Sequence, residues 1–258
     1  MLTIDKLSYQ SKLRYMNAGE KCAFAILTLL VCVISRSIVI AGLVLCLNTF
    51  LIVCKSGVSM RRYLHFMEIP IVFLILSTLA IIVNFSRTPL DAFAVQIGSI
   101  YITGSWYSLR FGIQLILTAL ASVSCLYFLS FTTPMTDILQ VLKRIHCPEL
   151  IIELMLLIYR FIFILLDTAH AIMTSQNARL GNCDFKTSCK SFGQMGSTLF
   201  LRAFKRSNAL YDSMEARCYD GSICVLNENY PPKTMEICLI IVCEVVLAGI
   251  VVGLHFFL

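Results

Sequence analysis

The groups best able to do chemistry in this chain are its cysteines. Cys183 and Cys189 have five residues between them, and so do Cys218 and Cys224. A zinc site prefers two to four residues between paired ligands, usually with histidine, and His65, His146, His170 and His255 are scattered. The spacing reads as coincidence, with a metal or redox site as the alternative. Cys32, Cys46, Cys125, Cys238 and Cys243 lie in apolar runs, where a thiol serves as a small hydrophobe. Twelve cysteines suit a reducing, cytosol-facing setting. His146 and Cys147 are adjacent, so on a helix they point about 100° apart and do not converge. No glycine-rich phosphate loop ending in Lys-Ser/Thr is present, and no His-Glu-x-x-His. The chain is expected neither to hydrolyse ATP nor to bind a metal or cofactor.

The remaining polar chemistry is ionic. Glu153, Arg160 and Asp167 are spaced by seven, which places them roughly on one helical face. Glu244 is a single acid in an apolar run and is expected to face protein. Two further groups stand at helix ends: Gln176-Asn177-Ala178-Arg179-Leu180-Gly181 and Met214-Glu215-Ala216-Arg217-Cys218-Tyr219-Asp220-Gly221. Each puts Ala-Arg just before a stop. The local account of Arg179 and Arg217 is a cation complementing the helix dipole, about 0.3–1 kcal/mol each. The alternative is docking, since a guanidinium grips a carboxylate with two parallel hydrogen bonds and Lys does not.

These groups need a scaffold, and composition says which kind. The chain is 58% hydrophobic and 14% charged, with mean hydropathy +0.82; a soluble domain carries about 25% charged residues. This is an all-α integral membrane protein. The net charge of +6 reports loop orientation rather than nucleic-acid binding, for which there is no basic surface with aromatic platforms. The start lacks the pattern of a cleavable signal peptide and reads as a cytoplasmic amphipathic lead-in. Spans are expected at 22–34 and 38–53, joined by a tight turn at 35–37, then at 69–85, 111–131 and 237–258. Lys55, Arg61 and Arg62 fall in a loop inside, and the Lys-poor, Tyr-rich stretch 86–109 in a loop outside.

Residues 133–234 differ. Thr133 can cap and Pro134 can start a short amphipathic helix carrying Ile138, Val141, Leu142 and Ile145. A longer helix runs from about 149 to 180. Its 150–173 part is apolar enough to span, but crossing would put Arg179, Lys186, Lys190, Arg202, Lys205, Arg206, Arg217 and Lys233 outside. It is therefore expected in or under the inner leaflet; an ordinary span with an ion pair is the alternative. Gly181 is expected as a left-handed cap, 182–196 as a polar link, and 197–219 as the next helix, with Gly221 as its cap. The organisation expected is 1–132 with four transmembrane helices, 133–234 as a cytoplasmic module of one short and two long crossed helices, and 235–258 as a fifth span.

With those motifs in view, the chain resembles the transmembrane T component of energy-coupling factor (ECF) transporters, of the cobalt/nickel type (CbiQ). The resemblance covers nearly the whole chain. It rests on the opening 4–21, on Thr132-Thr133-Pro134-Met135-Thr136-Asp137-Ile138-Leu139, on Leu157-Ile158-Tyr159-Arg160-Phe161-Ile162-Phe163, and on the paired Ala-Arg motifs. It implies a non-catalytic coupling subunit. Its partners would be two cytoplasmic ABC ATPase subunits, which use the ATP, and a separate metal-capturing membrane S component, with room for a small accessory membrane subunit. Residues carrying the coupling would be Ala178, Arg179, Gly181, Glu215, Ala216 and Arg217, supported by Arg160, Arg206, Ser207, Tyr211 and Met214. The resemblance also implies a prokaryotic cell membrane and a cytoplasmic N-terminus. Two departures stand out. Asn17-Ala18 occupies the region of a usual proline, and Cys218 replaces a common glycine. A cysteine takes positive φ only at a cost, so the helix is expected to run on to Gly221. The competing class is a solute-conducting permease, which would place polar residues in several spans.

Overall fold

The computed structural model describes residues 3–82, 84–86, 93–97, 100–104, 106–221 and 230–257. Its order is α1 (Thr3–Gln10), α2 (Ala18–Ser35), α3 (Ile38–Phe50) continued by a π-turn over Leu51–Lys55, and α4 (Met60–Ile82). Three short strands follow, then α5 (Trp106–Thr132), α6 (Met135–Arg144), α7 (Glu149–Ala178), α8 (Phe185–Glu215) and α9 (Thr234–Phe257). Among the described residues, five stretches are long and apolar enough to cross a membrane: Ala18–Ser35, Ile38–Lys55, Met60–Leu79, Ser108–Thr132 and Thr234–Gly253. Apart from the strands, the described elements are helical, and the fold is that of an all-α membrane protein.

The chain divides into two compact bodies, Leu2–Ile138 with Glu228–Leu258, and Leu139–Asn227. In the first, α5 is the hub and packs against α1, α2, α3 and α4, while α9 packs on α2 and α3. Small residues on α5 allow this close approach: Ala121, Ser124 and Cys125 are all buried. One apolar cluster gathers Leu7, Phe24, Ile52, Tyr63, Met67, Phe128 and Phe131. The other gathers Cys32, Ile40, Ala41, Val44, Ala121, Cys125 and Leu247. Outward-facing apolar side chains remain bare, among them Ile69 at 77% exposure, Phe73 at 70% and Leu239 at 67%. Apolar surface on this scale belongs against lipid.

Several polar groups inside this body are tied to backbone or to each other. Lys21 is buried, and its Nζ donates to the carbonyls of Leu13 (3.1 Å) and Thr132 (3.0 Å), pinning the lead-in to the end of α5. Asn48 Nδ2 donates to Ser124 Oγ at 3.2 Å and lies 3.0 Å from Cys125 Sγ. Glu244 turns to protein, as its solvation demands, with Oε1 2.8 Å from Thr28 Oγ1.

Three expectations are corrected. Arg61 and Arg62 belong to α4, which starts at Met60 and runs on through Pro70, rather than to a loop. Within 86–109, expected as a loop, the structure has antiparallel strands β1 (Asn84–Ser86), β2 (Phe93–Ile97) and β3 (Ile100–Gly104). Their order is β1-β3-β2, with Phe85 and Val95 both opposite Ile102, and their Phe, Val, Ile and Tyr content favours extended backbone. The helix after the first arginine motif begins at Phe185, so 185–196 is helix rather than a polar link. Asp184 precedes it in extended conformation, and its carbonyl accepts from the Ser188 amide at 2.8 Å. Gly193 and Gly196 lie inside the helix, where glycine costs about 1 kcal/mol without forbidding the conformation.

Candidate functional site: two arginine-tipped helix ends

The second body is built on a hairpin. Thirty residues of α7 and thirty-one of α8 run antiparallel, as the contacts along their length require. Gln176 Nε2 donates to the Ser191 carbonyl (2.8 Å) at the closed end. Arg160 and Arg206 flank the middle. Tyr219 Oη donates to Glu153 Oε2 (2.8 Å) at the open end. Each helix is about 45 Å long at ~1.5 Å per residue. Arg179 and Arg217 therefore stand at opposite ends of one rod.

The two ends share a termination. At the first, the Leu180 amide donates to Asn177 O (3.1 Å) and the Gly181 amide to Gln176 O (2.8 Å). At the second, the Cys218 amide donates to Glu215 O (3.0 Å) and the Tyr219 amide to Met214 O (3.1 Å). This is the Schellman pattern, which satisfies carbonyls that the last turn leaves open. It requires one left-handed residue, and the two are Leu180 (φ 57°) and Cys218 (φ 58°). In each case the arginine immediately precedes that residue, at the point where the helix axis ends. The short helix α6 stops the same way, with His146 at φ 62° and the Cys147 amide donating to Leu142 O (3.2 Å).

Two expectations about these ends are overturned. The left-handed position at the first end is Leu180, one residue before Gly181. Gly181 is needed for space: a Cβ there would lie 2.9 Å from Gln176 O and 2.9 Å from Ser191 Oγ. The second helix does not run on to Gly221. Cys218 accepts the positive φ, because two closing hydrogen bonds outweigh a strain of about 1–2 kcal/mol.

Ala178 ends α7 and Glu215 ends α8, with Ala216 just beyond. Arg206, Ser207 and Tyr211 are exposed on α8, Met214 is half-buried, and Arg160 is exposed on α7. Of the trio spaced by seven on α7, Glu153 alone is buried, and its Oε2 accepts from the Tyr219 hydroxyl. That bond holds the Tyr219 hydroxyl above the ordinary tyrosine range, because the neutral form donates to a carboxylate. Ion pairs among the described residues include His65–Glu68, Lys143–Glu149 and Lys233–Glu236. Among the described residues, then, no carboxylate lies within 4.0 Å of the guanidinium nitrogens of Arg160, Arg179, Arg206 or Arg217.

Sequence reasoning missed the corner lock. Ser191 is buried, its Oγ donates to Gly181 O at 2.7 Å, and its carbonyl takes the Gln176 amide group. The signal available was Asp184, a good N-cap type, nine residues before Gly193, the first glycine of the supposed link. Among the described residues, no three His, Cys, Asp or Glu side chains come together as a metal site, and the cysteines are free thiols.

Helix lengths, bare apolar faces and a polar hairpin together define a multi-pass, all-α integral membrane protein. Comparison with known proteins refines this. Residues 10–226 match the family described as cobalt transport protein, CbiQ, and the chain belongs to that family. An uncharacterized protein of Methanocaldococcus jannaschii is 30% identical over 95% of this chain and 90% of its own length. The cobalt transport protein CbiQ of Salmonella typhimurium is 29% identical over 86% of this chain and 98% of its own. The energy-coupling factor transporter transmembrane protein EcfT of Ruminiclostridium cellulolyticum is 38% identical over 36% of this chain and 37% of its own. The chain is thus a membrane component of a cobalt or ECF-type transporter.

Proposed function

We propose that this chain is the T subunit of an ECF-type importer for cobalt or nickel and that it performs no catalysis of its own. Two cytoplasmic ATPase subunits bind and hydrolyse ATP. The α7–α8 hairpin passes their movement to a separate membrane subunit that captures the metal ion. On this reading 133–234 is cytoplasmic, α7 lies in or under the inner leaflet without crossing, and the N-terminus is cytoplasmic. The spans within 1–134 and 237–258 hold the metal-capturing subunit.

The observation that supports it is the matched pair of ends. One rod presents two arginines in the same backbone setting, about 45 Å apart, each with no carboxylate within 4.0 Å among the described residues. Two ATPase subunits would give one groove for each end, and a guanidinium can make a bidentate contact to a carboxylate there. The negative end of the helix dipole beside each arginine favours the cation at the tip.

The test is the double variant Arg179→Glu with Arg217→Glu, co-expressed with both ATPases and the metal-capturing subunit. The ATPases are expected to be lost on purification, and cobalt uptake with them. Intact assembly and uptake would overturn the docking account. Single cysteines reacted from either side of the membrane check the topology: labelling of Cys183 or Cys189 from outside would refute a non-crossing α7.

A further inference from the structure

The two arginine tips are closed by the same backbone bonds, but they are not held in the same way. At the first, residues 179–184 carry α7 directly into α8, and Ser191 grips Gly181 across the corner. The second tip lies at the open end, where the two helices have no chain connection. Short of it, a cleft of about 380 Å³ opens between Arg160, Phe161 and Ile164 of α7 and Arg206, Ala209 and Leu210 of α8. Packing between the helices is loose there, so the last turns of α8 rest on what holds them nearer the end. A last turn frays when its open carbonyls and its exit are not fixed.

Tyr219 fixes both. Its amide closes the turn on Met214 O at 3.1 Å, and its hydroxyl donates to Glu153 Oε2 at 2.8 Å, across 66 positions of sequence. Arg217 stands two residues before it, with left-handed Cys218 between. Glu153 is the odd residue of its stretch. Ile151-Ile152-Glu153-Leu154-Met155-Leu156-Leu157-Ile158 is otherwise apolar, and the acid is 9% exposed. Burying a carboxylate is unfavourable beside burying a leucine of similar bulk, and only a well-directed donor offsets it. What the acid supplies is direction. A hydrogen bond to a carboxylate fixes the donor in distance and angle, as apolar packing does not.

We propose that Glu153 and Tyr219 are positioning residues for docking at the second tip. Their bond holds the last turn of α8 so that the Arg217 guanidinium meets an ATPase carboxylate at a fixed angle. This rests on the docking role proposed for Arg217. In this role neither side chain contacts the ATPase; both act through the arginine.

Two single-tip backgrounds separate positioning from folding. In Arg179→Ala only the second tip docks, and in Arg217→Ala only the first. Each full chain, in lipid nanodiscs, is titrated with the purified ATPase subunits. The dissociation constant is read for each background alone and with Tyr219→Phe, Glu153→Leu or Glu153→Gln added. In Arg179→Ala, Tyr219→Phe and Glu153→Leu should each weaken binding about tenfold, the scale of a lost hydrogen bond to a charged group. Combined, they should bind no more weakly than Tyr219→Phe alone, since both remove one bond. Glu153→Gln keeps an acceptor without its charge and should fall between. In Arg217→Ala none of them should add to the loss. Hydrogen exchange of the isolated chain gives a second reading. Peptides covering 214–219 should exchange about tenfold faster in Tyr219→Phe, and those covering 177–182 at the unaltered rate.

Equal weakening in both backgrounds would mark a general loss of folding and overturn the proposal. Unchanged binding of Tyr219→Phe in Arg179→Ala, or unchanged exchange at 214–219, would overturn it as well. The docking reading is tested before Tyr219 is altered. If the two backgrounds, alone and combined, bind the ATPases as the unaltered chain does, that reading fails and this inference falls with it.

Discussion

Leu180 and Gly181 sit side by side at the first arginine tip, and substitutions there should have opposite signs. Gly181→Ala places a methyl 2.9 Å from Gln176 O and 2.9 Å from Ser191 Oγ. Neither neighbour can retreat freely: one is backbone in the last turn of α7, and the other is the hydroxyl of a buried serine already bonded to Gly181 O. Relief must lengthen the Gly181 N–Gln176 O bond (2.8 Å), the Ser191 Oγ–Gly181 O bond (2.7 Å), or both. At about 1 kcal/mol net for each, the loss is about 2 kcal/mol. Leu180→Gly removes a left-handed non-glycine residue whose side chain is 74% exposed, so little burial is lost and about 1 kcal/mol is gained. Both variants are measured on the purified chain by denaturant unfolding followed through helix content, together with the protease sensitivity of the corner. A neutral Gly181→Ala would refute the close-approach argument, and a destabilising Leu180→Gly would refute the strain assigned to Leu180.

Cys218→Gly should stabilise the second tip by about 1 kcal/mol for the same reason and leave ATPase co-purification intact; weaker binding with higher stability would mean the cysteine itself contacts the partner. Tyr219→Phe removes the donor to the buried Glu153 carboxylate and should lower the melting temperature at neutral pH. Because the Tyr219 hydroxyl is held above its ordinary range, that bond is fully present below the usual tyrosine pKa of about 10 and is lost as pH climbs through the higher folded value. The difference between unaltered and Tyr219→Phe protein should thus close at alkaline pH; a gap that persists there would assign the loss to packing of the ring.

The membrane-competent helices were legible because long apolar runs have few other uses, and the two arginine ends because Ala-Arg before a stop is a local pattern. The first half of α8 was not. Its glycines and polar residues read as a linker, yet Gly193 and Gly196 face open space, and the helix is held by the Gln176–Ser191–Gly181 lock rather than by propensity. Leu180 and Cys218 were misread for a related reason. Residue type predicts which position turns left-handed only when backbone strain decides, and here two closing hydrogen bonds decide. The Arg160–Arg206 cleft is a tertiary product of two residues 46 positions apart, and nothing local announces it.

The corner lock at one end and the Tyr219–Glu153 bond at the other make α7 and α8 a single stiff beam with a tip at each extremity. A beam of about 45 Å turned around its middle by roughly 10° carries each tip about 4 Å, and in opposite senses. On the proposed function it would work as a seesaw. Equal and opposite displacements at its tips, such as two ATPases related by twofold symmetry would deliver on closing, add as torque and cancel as translation. The middle of the beam, where Arg160 and Arg206 lie, then stays nearly still as an axle while the tips swing.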